Sequence, residues 1–518
     1  MKSKTDTTKV LRKMVMYVCT MFLLVFITNV NVQAQRTVTV DQGVGTLNDA
    51  IAGDTTATGA RVDSNTVYIL SSGGTYLLDG SIEHRGYHLT IVAEDGTTDR
   101  PKLIPAVDDG GSSSRPFRPR GDLTLKGLYI TNEDELQGRN ERMVRISENE
   151  VTIRIDNCHL DKDAQSAFRV DGDNVSIFLT NSTVSNIGST SSPDNGRGVD
   201  DRGNPIDTLW FENNTFYNLT SQVLRDGGGT IAYAYVNQNT AVNIGKNIAF
   251  EFGPTVEGVF TNNMVYNASF YGNNTNGDET TVIIGLDSLT TEETAEFGAQ
   301  SFTLNNNNFY ISTDVIAAYP DSVETPATFN ATAQAYVTEQ GSASTNLSEE
   351  ISFTDGPADP ANIVTEFWGN AESPSEFPTD GEPFDFGYAS TEASFTGGAS
   401  GQQLGSLIWH GGITISNEDD IITETPNSFI LKGNYPNPFN PSTNIAFDLQ
   451  SPSNVSIEVY SIIGQRVMTI PAQRMSAGAN QSIQLDASGL SSGMYIYRVT
   501  ARTANNTLVN TGRMTLIK

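Results

Sequence analysis

Three arginine side chains recur at a matching place in the sequence, and binding an anion is the chemistry for which they are best suited. Arg145, Arg169 and Arg225 each lie twelve or thirteen residues ahead of an asparagine or glutamine residue that recurs along the chain. A guanidinium group binds a planar carboxylate or sulfate anion through two parallel hydrogen bonds. Three such groups would hold an anionic polymer if the fold placed them in one row.

The recurring asparagine or glutamine belongs to a short phrase that appears seven times. An apolar residue and a polar residue precede it, and two further residues and usually another apolar residue follow it. The steps between successive copies are 25, 24, 32, 25, 24 and 44 residues. Four of the six steps are 24 or 25, which indicates a solenoid with insertions. The third residues of the seven copies are Asn132, Asn157, Asn181, Asn213, Gln238, Asn262 and Asn306.

This period predicts an all-β fold, a right-handed parallel β-helix. A coil of about two dozen residues holds three short strands and three turns, and neighbouring coils pair at about 4.8 Å. Asparagine tolerates the left-handed backbone conformation, so it suits a tight bend between two strands, and stacked asparagine side chains form hydrogen bonds along the axis. Strand alternation then turns Arg145 and Arg169 outward on adjacent coils, with Arg225 near the same column two coils further on.

Two interpretations of this arginine column stay open. Like charges stacked at that spacing repel each other unless carboxylates or an anion compensate them. In the first interpretation Asp171, Asp173 and Asp226 compensate them, and the column is an arginine–aspartate lattice on a solvated sheet. In the second, the column is a cradle for a carboxylated or sulfated polysaccharide. Arg197 and Arg202, in the long insertion before the fourth copy of the phrase, are further candidate ligand-binding residues.

The charge of the chain limits its partners. It has 31 basic and 60 acidic residues and a net charge of −29, which disfavours nucleic acid and anionic membranes as partners. Lysine and arginine are absent from 247–431. This stretch indicates a solvated surface, binding of divalent cations, or resistance to trypsin-like enzymes. Calcium is therefore a candidate cofactor, with Asp171, Asp173 and Asp226 as candidate ligands, although the spacing of an EF-hand loop is not present.

The first 34 residues are predicted to be an export signal peptide. Five basic residues precede an apolar run, Val15 to Ile27, which is too short to span a bilayer comfortably. Ala34 is the small residue expected at the cleavage edge, so the mature chain is predicted to begin at Gln35. A retained membrane anchor is the alternative. The rest of the chain has no other long apolar stretch, so we expect no transmembrane segment after cleavage.

The last 90 residues carry four motifs in a fixed order. They are NYPNPFNPST at 434–443, VYSIIGQRV at 459–467, LSSGMYIYR at 490–498 and MTLIK at 514–518. Alternating apolar residues with turns at Gly464 and Gly493 predict a small Ig-like Greek-key β-sandwich. The ordered motifs resemble the C-terminal sorting domain of type IX secretion substrates of Bacteroidetes-type bacteria. The resemblance covers 428–518 and implies that the outer-membrane secretion machinery reads this domain during export to the surface or the medium.

The predicted domain layout follows from these features. The β-helix passenger covers 35–410, with an irregular closing segment at about 313–410, and a linker covers 411–427. The phrase LGSLIW at 404–409 resembles the closing phrase of secreted Bacteroidetes β-helix proteins, which end in leucine-glycine-x-x-x-tryptophan.

A second resemblance concerns catalysis. The run LRDGG at 224–228 resembles the arginine-bearing coil of alginate and chondroitin lyases of the chondroitinase-B type, which have the pectate-lyase-like fold. The resemblance implies a lysine base, an arginine partner and a cation that stabilises the enolate, and it makes Arg225 the catalytic candidate. The sequence departs from this pattern because it has no lysine between Lys162 and Lys246, and Asp226 follows the arginine instead of histidine. Whether the protein is an enzyme therefore stays open.

Three hypotheses of function follow, in order of preference. The first is a secreted or cell-surface β-helix protein that binds an extracellular, anionic polysaccharide. The second is a structural or adhesive surface protein in which the solenoid is a stiff spacer. The third is a polysaccharide lyase that acts on uronate-containing glycans.

Overall fold

The structure is a computed structural model, and it describes residues 36–518 apart from several short gaps. Its chain contacts divide it into two compact units, Met1–Asn417 and Glu418–Lys518. The predicted signal peptide at 1–34 and the predicted linker at 411–427 lie outside the described residues, and both stay predictions. The residues outside the description are 1–35, 57–60, 64, 191–193, 278–280, 371–374, 378–383, 411–429, 436, 438, 450–452, 462–465, 476–477 and 503–506.

The first unit is a parallel β-helix, which confirms the predicted fold class. In the described residues, two sheets of ten strands and one of seven run along it, and every strand pairs in parallel with the strand of the next coil. Sheet 1 contains Thr37–Val40, Val67–Leu70, Leu89–Ala93, Leu123–Lys126, Thr152–Asp156, Val175–Thr180, Ile206–Glu212, Ile231–Asn237, Thr255–Thr261 and Ser301–Asn305. Sheet 2 contains Gly43–Val44, Thr75–Leu78, Lys102–Pro105, Tyr129–Thr131, His159–Asp163, Thr183–Ile187, Thr215–Leu219, Thr240–Ile244, Met264–Ala268 and Asn308–Tyr310. Sheet 3 contains Val144–Ile146, Ser166–Val170, Arg197–Asp200, Gln222–Arg225, Phe250–Glu251, Val282–Gly285 and Ala327–Phe329.

The helices lie at the ends of this unit and in its closing segment. Helix α1 buries Leu47 and Ile51 against the core at the N-terminal end of the coils. The α-helices are α1 (Thr46–Gly53), α2 (Thr291–Phe297), α3 (Thr313–Ala317), α4 (Ala331–Gln340) and α5 (Ala361–Gly369), and the 3-10 helices are Ser342–Ser344, Ala393–Phe395, Ala399–Gly401 and Leu407–His410. Two short antiparallel pairs join Asn273–Asn274 with Val323–Glu324 and Phe353–Asp355 with Asp385–Tyr388.

Strand alternation separates an apolar interior from the outer faces. In Thr152–Asp156, Ile153 and Ile155 are fully buried and Arg154 between them is exposed. The same alternation recurs on each coil, so the inward side chains stack into one continuous core. Each outward side chain therefore lies one coil, about 4.8 Å, from its equivalent.

The recurring asparagine or glutamine forms the bend between sheet 1 and sheet 2. Six of the seven predicted residues have the left-handed conformation, with φ between 50° and 61°: Asn157, Asn181, Asn213, Gln238, Asn262 and Asn306. The assignment of Asn132 to this position was wrong. On that coil Gly127, with φ 73°, forms the bend, and Asn132 lies just after the following sheet 2 strand. Glycine replaces asparagine there because it adopts a positive φ without strain.

From the bend at Asn213 onward, the residue after the bend belongs to a buried ladder of side-chain amides, and Ser182 on the coil before donates its backbone N–H to the first of them, Asn214. The side-chain oxygen Oδ1 of Asn239 accepts two hydrogen bonds from Asn214, one from its backbone N–H and one from its side-chain N–H. Both are 3.0 Å long. In the same way, Oδ1 of Asn263 accepts the backbone and side-chain N–H groups of Asn239, and Oδ1 of Asn307 accepts those of Asn263. These side chains are at most 1% exposed. The ladder joins each coil to the next inside the core.

A second row of asparagine residues lies five positions after the bend residues themselves. The sequence analysis did not predict it. Asn186, Asn218, Asn243 and Asn267 have φ between 50° and 57°, and each is one residue before the end of a sheet 2 strand. Their side chains form hydrogen bonds from coil to coil at 3.3 to 3.4 Å. The two rows of side-chain amides therefore fix the register of each sheet 2 strand with the strand of the next coil.

The second unit is a small antiparallel β-sandwich, as predicted. One sheet contains Ile430–Tyr435, Ser442–Leu449 and Gly478–Asp486, and the other contains Ser453–Ser461, Arg466–Met475, Gly493–Arg502 and Thr507–Leu516. Phe447 from the first sheet and Ile457 and Val499 from the second are fully buried in a shared core. Part of the second predicted motif, 462–465, lies outside the described residues.

The closing segment returns along sheet 2, and the phrase LGSLIW fixes it there. The N–H of Gly405 donates to the carbonyl of Asn262, and the indole N–H of Trp409 donates to the hydroxyl of Thr215. Gly405 has φ 84°, and a Cβ atom there would lie 2.5 Å from Oγ1 of Thr240 and 2.8 Å from Cβ of Met264. Glycine is therefore required both for the backbone conformation and for the close approach.

We predict that Gly405→Ala releases the closing segment from sheet 2. Chymotrypsin, which cuts after aromatic residues, would then cleave this segment faster than in the wild-type protein, whereas trypsin has no site between 247 and 431. Gly401→Ala is the matched control, because Gly401 also has a positive φ (78°) but has open space around it. The control variant therefore has only the free-energy cost of an alanine at a positive φ, roughly 1 kcal/mol, and no steric clash. Equal cleavage rates for the two variants would contradict the packing argument.

Candidate functional site

Sheet 3 brings the predicted arginine residues into one outward column. Arg145 pairs with Arg169, Arg169 pairs with Asp200, and Asp200 pairs with Arg225. The predicted adjacency of Arg145 and Arg169 is therefore confirmed, and Arg225 lies two coils beyond Arg169. The neighbours Val144 and Phe168 are fully buried, which turns the arginine side chains outward.

The column is longer than the sequence predicted. Isolated bridges at Phe117 extend it two coils toward the N terminus, to Arg118 and then Glu83, which form a 3.2 Å ion pair. At the other end Glu251 follows Arg225. From the N-terminal end the column reads Glu83, Arg118, Arg145, Arg169, Asp200, Arg225 and Glu251.

The long insertion contains a regular strand rather than only a loop. Arg197–Asp200 is the sheet 3 strand of its coil, so the step of 32 residues reflects a longer turn ahead of this strand. The carboxylate of Asp200 is 1% exposed and pairs with Arg197 at 2.9 Å and with Arg225 at 3.0 Å. Arg202 lies on the turn after the strand and is exposed. Arg197 and Arg225 thus share one buried carboxylate, whereas Arg202 lies outside the column.

Asp171 holds two arginine side chains of the column in place. Its two oxygens accept from Nε of Arg145 at 2.6 Å and from Nε of Arg169 at 2.8 Å. Burial opposes ionisation, but the hydrogen bonds from Arg169 and Arg145 outweigh it and lower the pKa of Asp171 below its ordinary value. The carboxylate is therefore charged at neutral pH and orients both guanidinium groups.

Five guanidinium groups lie close together at the N-terminal half of the column, and we call them the arginine cluster. Burial lowers the pKa of Arg115, and the nearby charges of Arg145, Arg142 and Arg118 lower it further. The buried carboxyl of Asp163, whose pKa burial raises to about 6, acts in the opposite direction. The cluster consists of Arg115, Arg118, Arg142, Arg145 and Arg169.

Several donors of the arginine cluster are unused within the described residues. Arg145 forms a hydrogen bond through Nε, and its two Nη groups have no described protein partner. The Nε of Arg115 is buried without a partner. Arg142 uses Nε on Gln165, at 2.7 Å, and pairs with Glu141. Because each guanidinium has five N–H donors, the cluster can hold an anion in addition to its present partners.

The candidate calcium ligands do not come together. Asp171 is paired with arginine, Asp173 is exposed, and Asp226 accepts from the N–H groups of Gly228 and Gly229 at 2.9 and 3.1 Å. Across the described residues no group of three or more His, Cys, Asp and Glu side chains could hold a metal ion. Calcium binding at these residues stays a prediction.

Lys162 lies on a different sheet from the arginine column. It belongs to the sheet 2 strand His159–Asp163, and its ammonium group pairs with Glu133 at 2.9 Å. Arg225 therefore faces Asp200, and no described lysine occupies the coil on either side of it in sheet 3.

A buried carboxyl group, that of Asp201, lies next to the half-buried carboxyl group of Asp226. Asp201 is fully buried, and its Oδ1 accepts from the N–H groups of Gly203 and Gly227. Burial and the adjacent carboxyl of Asp226 raise the pKa of Asp201 to about 8. Asp201 therefore keeps its proton at neutral pH, where an ordinary carboxyl group has lost it.

The raised pKa of Asp201 predicts a loss of stability as the pH rises. The unfolded chain releases the proton of Asp201 near pH 4 and the folded protein near pH 8, so the folded state binds the extra proton in between. Asp201→Asn keeps the acceptor for Gly203 and Gly227 and offers an N–H to Asp226. We expect the melting temperature of this variant, measured by calorimetry, to exceed that of the wild type by more at pH 8 than at pH 5. Asp109→Asn, at an exposed site, is the control, and an equal pH trend for both variants would contradict the raised pKa of Asp201.

Comparison with known families identifies the second unit. The family model of the secretion system C-terminal sorting domain matches residues 434–509. Comparisons with curated proteins and with solved structures gave no match. Within the described residues the helices are too short or too polar to cross a membrane. The chain therefore carries a type IX secretion sorting domain, which is recognised by the secretion machinery, and it is exported to the cell surface or the extracellular space.

Proposed function

We propose that the exported protein binds an anionic extracellular polysaccharide through the arginine cluster. The observation that carries the proposal is the pair of free Nη groups on Arg145, a side chain whose Nε is fixed by Asp171. A guanidinium group held in one orientation loses little conformational entropy when it binds a carboxylate or sulfate. The buried, unpartnered Nε of Arg115 supports a positive potential at the same place.

The repeat of the fold favours a polymer over a single small anion. Arg118, Arg145 and Arg169 lie on consecutive coils, and Arg225 lies two coils further on. At about 4.8 Å per coil the row from Arg118 to Arg225 spans roughly 19 Å. A polysaccharide with a charged group on successive sugars would meet several of these side chains when it lies parallel to the coil axis.

The alternatives remain in the order given by the sequence. A structural or adhesive protein needs no ligand on sheet 3, and it would explain the arginine–aspartate pairs as a lattice. A polysaccharide lyase needs a base near Arg225, and Lys162 lies on sheet 2 in an ion pair with Glu133. The free donors of Arg145 favour ligand binding over both alternatives.

Binding to defined polymers tests the proposal. We expect the full chain to bind alginate, chondroitin sulfate or polygalacturonate more tightly than uncharged dextran, with an affinity that falls as salt is added. Arg145→Ala and Arg169→Ala should each weaken binding about tenfold or more, because a hydrogen bond to a charged group contributes roughly 1.5 to 3 kcal/mol. Arg145→Lys should bind more tightly than Arg145→Ala but more weakly than the wild type, since lysine keeps the charge but lacks the two parallel N–H donors of a guanidinium group.

Arg154→Ala is the matched control. It removes the same charge from an exposed site on sheet 1, so the affinity should change by less than about twofold. Unchanged binding by the Arg145 and Arg169 variants, or equal binding of dextran, would reject the proposal. Ultraviolet absorbance of the same mixtures detects unsaturated products, and a rise that depends on Arg225 would favour the lyase hypothesis instead.

A further inference from the structure

The outer face of sheet 1 carries a row of aromatic side chains on a different face from the arginine cluster. Phe178, Trp210 and Tyr235 occupy the same outward position on three consecutive coils. The rings of Phe178 and Trp210 stack with centroids 6.3 Å apart, and those of Trp210 and Tyr235 with centroids 4.0 Å apart. Tyr233 extends the row sideways, 6.3 Å from Trp210. We call Phe178, Trp210, Tyr233 and Tyr235 the aromatic row.

The aromatic row does not belong to the core. The inward neighbours Ile177, Leu209 and Ala234 fill the interior and are fully buried. The aromatic row lies on the opposite side of the same strands, and its side chains are half-buried. A contiguous patch of aromatic side chains on a protein surface often marks a binding site.

A parallel column of polar side chains lies beside the aromatic row. Two positions further along the same strands, Asp156, Thr180, Glu212 and Asn237 pair in succession. The hydroxyl of Thr180 donates to Asp156 at 2.8 Å, and the indole N–H of Trp210 donates to Glu212 at 3.0 Å. This column offers amide, hydroxyl and carboxylate groups at the edge of the stacked rings.

The row leads to a cleft at the C-terminal end of the sheet. The outward position passes from Tyr235 to Val259 and then to Thr303. Thr303 lines an open cleft of about 820 Å³ between the last strand of sheet 1 and helix α4, with Tyr336 and Gln340 on the opposite wall. A chain that lies along the aromatic row would therefore enter this cleft.

We propose that the aromatic row is a binding site for an uncharged glycan built of pyranose rings. The C–H groups of a sugar face are slightly positive and pack against the negative faces of aromatic rings. The adjacent amide and carboxylate groups bind sugar hydroxyls.

Two basic groups lie at the N-terminal end of the row: Arg154 pairs with Phe178, with its guanidinium group 4.5 Å from the ring centroid, and Lys126 pairs with Asp156. From Trp210 onward the flanking charges are the carboxylates of Glu212 and Glu257, which repel uronates and sulfates, so the ligand along this part of the row is uncharged. This site lies on another face than the arginine cluster and does not depend on the function proposed for it.

Tryptophan fluorescence tests this site directly. The chain has three tryptophan residues, and the other two, Trp368 and Trp409, donate hydrogen bonds from the closing segment. We expect cellohexaose, laminarihexaose or mannohexaose, titrated to about 10 mM into the full chain, to change the emission with saturation. Trp210→Phe should remove most of this change while calorimetry still detects binding, because phenylalanine keeps the stacking face.

Alanine variants measure the contribution of the stack. Trp210→Ala and Tyr235→Ala should each weaken binding about five- to tenfold, the effect expected for loss of one aromatic contact. Tyr310→Ala, which removes a half-buried tyrosine from sheet 2, and Arg169→Ala should leave the affinity unchanged. The proposal is overturned if none of the three hexasaccharides binds, if the Trp210 and Tyr235 variants bind like the wild type, or if an oligogalacturonate binds this row more tightly than the uncharged sugars.

Discussion

The buried ladder at the residue after the bend, formed by Cys158, Ser182 and then Asn214, Asn239, Asn263 and Asn307, is the constraint on which the rest of the first unit depends. Each of Asn214, Asn239 and Asn263 passes two hydrogen bonds to the side-chain oxygen of the next coil. An unpaired buried amide costs about 1 to 3 kcal/mol, so a coil that slipped by one residue would lose these bonds and bury uncompensated polar groups. A slip would also turn every outward side chain inward. The ladder therefore fixes the register, and the register decides which side chains meet on each face.

The three faces carry different chemistry because they share this one register. Sheet 3 collects guanidinium groups around the carboxylates of Asp171 and Asp200, sheet 1 collects aromatic rings beside acidic and amide groups, and sheet 2 is occupied by the closing segment fixed at Gly405. The chain as a whole is strongly acidic. Two faces thus carry the two sites proposed above, one for an anionic glycan and one for an uncharged glycan.

The sequence predicted the fold well where a residue type marks a backbone conformation. Asparagine at a positive φ recurs at the bends, so the period, the sheet pairing and the neighbours Arg145 and Arg169 could be derived. Asn132 was assigned wrongly because on its coil Gly127 adopts the positive φ of the bend, and a search for asparagine at the bend does not find a glycine. Arg115 and Arg118 were missed for a related reason, since their coil has no asparagine to set its register.

Other parts of the site were missed for different reasons, although Asp200 lies thirteen residues before Asn213, the same offset that places Arg225 before Gln238. Asp200 looked like part of a loop because the turn before its strand lengthens that coil to 32 residues. The stacking of Trp210 on Tyr235 was overlooked although the bends fix it, because these residues lie three positions before Asn213 and Gln238. The pKa of Asp201 depends on burial and on the approach of Asp226, which are properties of the folded chain alone.

Hydrogen–deuterium exchange at the ladder tests the central claim most directly. The backbone N–H groups of Asn214, Asn239 and Asn263 donate to side-chain oxygens inside the core, so the account predicts that peptides containing them exchange slowly and to similar extents. Exchange at these positions as fast as at the exposed loop residue Asp109 would contradict a register fixed by the buried ladder.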